Sequence, residues 1–111
     1  MLSLGLNRIY LYNQSVNMQK GFESLSGLVE QAFPNQLFTG SLFVFMNRKR
    51  DKLKVLYFDI DGMAIWYKRL ERGCFNITFG GESEISRMEF LMLLEGVTPH
   101  KINRRFKLLN K

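Results

Sequence analysis

The sequence predicts an α+β fold: a small antiparallel sheet, a three-strand meander at 42–68 plus flanking strands, packed with two helices. Three observations carry this. Short aromatic and β-branched runs crowd the middle of the chain at hairpin intervals. Two stretches with helical apolar spacing lie on either side of them. Alternate residues of the central runs are apolar on both faces, so the sheet needs cover on both sides. Helices can supply that cover, as can one helix and a second subunit. With 111 residues, 46% of them apolar, the chain is sized for one domain with one core. The expected division is a domain at 1–98 and a basic arm at 99–111.

The elements follow in order. RIYLY (8–12) reads as a short strand. Met18, Phe22, Leu25, Val29, Ala32 and Phe33 share one helical face, which predicts a helix over 18–33. Asn17 can cap its start and Pro34 stops it. Gly21 and Gly27 weaken it by about 1 kcal/mol each where exposed. LFVFM (42–46), LKVLYFD (53–59) and MAIWYK (63–68) form the meander. Their joints are NRKRDK and Asp59-Ile60-Asp61-Gly62, whose final Asp-Gly is a strong hairpin signal. FNITF (75–79) alternates like a fourth strand, ended by Gly80-Gly81. Ser86 and Glu89 form a capping box for a second helix. Met88, Leu91, Met92 and Leu94 supply its apolar side, and Gly96 and Pro99 end it.

Charge placement says more than the net +6. Residues 1–40 balance, 41–72 carry +4, 73–98 carry −3, and 99–111 carry +5. Two basic blocks with an acidic stretch between them point to a polyanionic partner. The sharper feature is the bend after LFVFM. There Arg48, Lys49, Arg50, Lys52 and Lys54 face only Asp51. Lysines on a bend can simply keep a sheet edge from aggregating; so dense a cluster also fits contact with nucleic-acid phosphate. Alternate bends of a meander lie at one end of the sheet. The 47–52 bend should therefore adjoin the segment after 68, with Lys68, Arg69 and Arg72, to form one cationic surface. Arg104 and Arg105 in the arm are further candidates, if the arm folds onto DNA rather than fraying. Trp66 and Tyr67 beside these cations can stack on bases, although such residues more often fill a core.

Catalytic chemistry finds little support. His100 is the one histidine, and it sits in the basic tail. Without paired cysteines it makes no ordinary zinc site. Asp59 and Asp61 fit a hairpin turn better than a calcium loop, because Leu70 occupies the twelfth position where that loop needs an acid. No phosphate-binding glycine loop is present. No catalytic residue, metal or cofactor is expected. Cys74 stands alone, which excludes an internal disulfide and fits a reducing, cytoplasmic setting. MLSLGLNRIY lacks the basic and long apolar regions of a signal peptide. No apolar run approaches the ~20 residues of a membrane span.

MQKGFESLSGLV, FTGSLFVFMNRKRDKLKVLYFDIDGMAIWYKRLERGCF and MLLEGV, in this order and spacing, resemble the TnpB-type accessory proteins of the insertion-sequence-sixty-six family. These are distinct from the RNA-guided nuclease that shares the name. The resemblance covers about residues 8 to 97. It matches Lys20, Gly21 and Phe22 to the first family block. Asn47, Arg48, Asp51, Leu53 and Lys54 match the second, and Tyr67, Lys68, Arg69, Leu70, Glu71 and Gly73 the third. Gln19 stands where the family commonly has Arg, and Asn76-Ile77-Thr78 replaces a frequent Trp-Pro. The resemblance implies a protein that assists DNA transposition without cutting DNA. Its expected partners are element-end DNA, the transposase or both, with a homo-oligomer possible. A pure adaptor for the transposase, without DNA contact, is the alternative.

Overall fold

The computed structural model describes residues 7–76 and 83–95. Among them, strands β1 (Ile9–Leu11), β2 (Leu42–Met46), β3 (Lys52–Asp59), β4 (Gly62–Arg69) and β5 (Glu84–Ile85) form one sheet. Helices α1 (Phe22–Ala32) and α2 (Arg87–Leu94) complete the described elements. The strand order is β4-β3-β2-β1-β5. The meander β2-β3-β4 is antiparallel, as the short joints require. β1 runs parallel to β2, because the long α1 crossover carries the chain back to the end of the sheet where β1 begins. β5 pairs antiparallel with β1, Ile9 opposite Ile85. The sheet is thus mostly, not wholly, antiparallel.

Both faces are covered, as the apolar alternation predicts. On one, Ile9, Leu42, Val44, Met46, Leu53 and Val55 pack with Phe90 and Leu93 of α2. On the other, Tyr10, Phe43, Phe45 and Leu56 pack with Leu25 and Val29 of α1. There Phe43 stacks on Tyr10 at 5.7 Å between ring centroids, and Phe33 lies 4.8 Å from Tyr10. Burying each such ring contributes roughly 1.5–3 kcal/mol.

Three local expectations need correction. α1 begins at Phe22, with Gly21 as its N-cap, rather than at 18. Residues 17–20 instead form a turn in which Lys20 N–H donates to the Asn17 carbonyl and Gln19 N–H to Asn17 Oδ1. The buried side of α2 is Phe90 and Leu93, while Met88 is exposed. This helix is apolar nearly all round, so periodicity cannot choose its face. At the β3–β4 hairpin Gly62 pairs with Asp59 inside the ladder, and the positive φ of 54° falls on Ile60. The Ser86–Glu89 capping box is present in both directions. Of the expected strand at 75–79, Phe75 and Asn76 are not strand, and 77–79 lie outside the described residues, as does the arm.

Candidate nucleic-acid interface

The β2–β3 bend is organised by Asn47. Its Oδ1 accepts from the backbone N–H of Asp51 at 3.1 Å and of Lys52 at 3.0 Å, and its Nδ2 donates to Asp51 Oδ1 at 2.6 Å. Arg50 closes the turn at φ 57°. The Asn47 hydrogen bond holds the Asp51 carboxyl below its ordinary range, helped by Lys52 and Lys49 and opposed by partial burial. The single acid in the bend is therefore committed to Asn47. Arg48 and Lys49 stand exposed beside it, and neither they nor Lys52 and Arg72 form an ion pair with a described residue.

The segment after β4 folds back onto this bend, as the meander predicts. Leu70 N–H donates to the Asp51 carbonyl at 2.7 Å, and Phe75 N–H to the Arg50 carbonyl at 2.6 Å. Buried Phe75 anchors the return, which carries exposed Arg72. A third strip arrives from β1: Val16 N–H donates to the Met46 carbonyl at 2.9 Å, bringing residues 15–19 alongside. Between these strips lies an open depression of about 540 Å³ lined by residues 15–19, Asn47, Arg48, Lys49, Asp51, Lys52 and Tyr67. A second, of about 360 Å³, is lined by Lys52, Tyr67, Arg69 and Glu71.

Cross-strand register decides which predicted cations meet here. Lys52 opposes Arg69 and Lys54 opposes Tyr67 on the α1 face. The Arg69 guanidinium is paired with Glu71 at 3.1 Å. Both side chains are well over half exposed, so the pair is weak, about 0–1 kcal/mol. Two predicted contacts have their amines taken up by backbone carbonyls. Lys54 Nζ donates to the carbonyls of Met18 at 2.7 Å and Lys20 at 2.9 Å, and lies 5.0 Å from the Tyr67 ring centroid. Lys68 points to the α2 face, where its Nζ donates to the Leu94 carbonyl at 2.7 Å. Both amines therefore anchor the protein's own backbone. Arg50 contributes its carbonyl to the return segment, and Arg104 and Arg105 lie outside the described residues. Trp66 packs into the α2-side core, as expected, whereas Tyr67 is 49% exposed.

Sequence reasoning missed the 15–19 strip by assigning part of it to α1. The signal was Asn17 followed by Gly21, which suits an Asx turn before a late helix start as well as it suits a cap. Asp59 and Asp61 belong to the opposite hairpin, where Asp61 N–H donates to the Asp59 carbonyl. Among the described residues, His, Cys, Asp and Glu form no group of three suited to a metal. None of the described helices is long and apolar enough to cross a membrane.

The fold and this end of the sheet define a class: a small basic α+β protein whose charge gathers where three chain segments meet. More particularly, residues 7–104 match the model of the family described as IS66 Orf2 like protein. The chain belongs to that family, whose role is accessory to transposition. It is 35% identical over 100 residues to uncharacterized protein y4hO of Sinorhizobium fredii, covering 87% of each chain. It is also 31% identical to uncharacterized protein y4jC of the same organism, over 88% of this chain and 86% of that one. No solved structure matches.

Proposed function

We propose that this protein is a non-catalytic accessory factor of DNA transposition that holds element DNA by its phosphates. Arg48, Lys49, Lys52, Arg69 and Arg72 make the contacts, in the cytoplasm of the host cell. The observation that carries this is that Arg48, Lys49, Lys52 and Arg72 gather at one end of the sheet and form no ion pair with a described residue. Binding of this kind requires many weak phosphate contacts rather than one pocket.

A second reading, the transposase adaptor, has its own support at the far end of the sheet. Phe38 is 65% exposed and meets Phe58 edge-on at 5.5 Å, next to 92% exposed Ile60. The two surfaces are separate, so one protein can use both. Self-association is a further proposal. Among the described residues β4 has a neighbour on one side only, and its first six residues carry no charge. A gel shift with element ends, together with a transposase pull-down, separates the readings. Neutralising Arg48, Lys49 and Lys52 should abolish the shift and spare the pull-down. An intact shift with the neutralised bend refutes the phosphate contacts; no shift even in the wild type, with the pull-down intact, establishes the adaptor.

A further inference from the structure

We propose that the cationic end takes an unpaired DNA strand and that Tyr67 is the platform on which one of its bases stacks; this rests on the nucleic-acid reading above. Tyr67 stands out within its own strand. Ile65 and Trp66 turn into the two cores, whereas the next residue leaves an aromatic ring 49% exposed. That ring is set among cations: Lys54 lies over it, and Lys52 and Arg69 share its face of the sheet. It also lines both depressions at this end.

Lys54 is pinned by the carbonyls of Met18 and Lys20, and its amine, 5.0 Å from the ring centroid, modestly favours this placement of the ring. A site of exposed aromatic and flanking cations matches the chemistry of single-strand binding, in which bases stack on side-chain rings while Lys and Arg follow the phosphates. A duplex offers phosphates and base edges but hides its base faces within the stack. Along β4 the step from Tyr67 to Arg69 is about 6.6 Å, the rise of two strand residues. That span is short enough for a strand whose base lies on the ring to bring a phosphate to the guanidinium, a charge-assisted contact. Glu71 holds that guanidinium only through an exposed pair, which a phosphate can displace.

The test is fluorescence anisotropy at fixed salt with a short oligothymidine, and with a duplex of matched length, for wild type, Tyr67→Phe, Tyr67→Ala and Lys52→Ala. Tyr67→Ala should lose roughly ten- to a hundredfold affinity for the single strand, the size of one base stack. Tyr67→Phe should retain it, and the duplex should change by less than about twofold, since its bases offer no face to the ring. Circular dichroism of each variant checks that the fold is kept. Single-strand binding unchanged in Tyr67→Ala overturns the inference, as does equal loss on both substrates. If Lys52→Ala still weakens duplex binding in that case, the nucleic-acid reading stands without it. A wild type that binds neither substrate overturns both.

Discussion

Asn47 organises the basic bend from within. One carboxamide satisfies two backbone donors and occupies the only acid between five cations. Asn47→Ala should cost about 1–3 kcal/mol, the penalty for orphaning such groups, and release Asp51 to pair with its neighbours; chemical denaturation and DNA binding together read both effects. The pH dependence follows from the same bond. Folding lowers the Asp51 pKa, so the carboxylate adds stability above the ordinary aspartate value of about 3.9 and loses it as pH falls through the depressed one. Asp51→Asn should therefore be less stable at neutral pH and flatten the acid limb of the stability curve, seen as a smaller shift of the denaturant midpoint between neutral and acid pH. The cluster's basic residues were legible in the sequence because charge shows directly in composition. The fates of Lys54 and Lys68 were not. Whether an amine meets solvent or a backbone carbonyl depends on where distant segments end, here residues 18–20 and the last turn of α2.

Among the elements, the β3–β4 hairpin holds the clearest conflict between residue and conformation. A β-branched side chain at positive φ is disfavoured by roughly 1–2 kcal/mol, and Ile60 adopts it at 92% exposure. Ile60→Gly should relieve this and stabilise the protein by about 0.5–1 kcal/mol, after the entropy of the unfolded glycine is deducted; a rise in Tm checks it. Ser86→Ala, which removes one arm of the capping box, should cost about 1 kcal/mol and lower Tm. The meander and the cap were readable because hairpin spacing and capping chemistry are local. The parallel pairing of β1 with β2 was not, since nothing within either strand records which neighbour it takes. The helix start was misplaced for a related reason. Met18 has the right spacing for α1, and packs against the same core, but from a turn.

At the scale of the molecule, the described residues form a sheet with two cores and two unlike ends. Phe43 holds the α1-side core at its centre, fully buried against Tyr10 and Phe33. Phe43→Ala should cost about 3–5 kcal/mol, a large share of a typical domain's total, measured by urea unfolding. The α+β class and the doubly covered sheet were visible in the alternation of apolar residues on both faces. The assembly of the cationic end was predictable only as a neighbourhood, because it needs the meander to place the 47–52 bend beside the return after β4. The charge itself is fixed by covalent structure; its usefulness is created by the fold. The most direct test is the salt dependence of affinity for element-end duplex. With five phosphates neutralised, log Kobs should fall against log salt with a slope of about −4.5, and Lys52→Ala with Arg69→Ala should bring it to about −2.7. A slope near zero, or one that these two substitutions leave unchanged, contradicts the account.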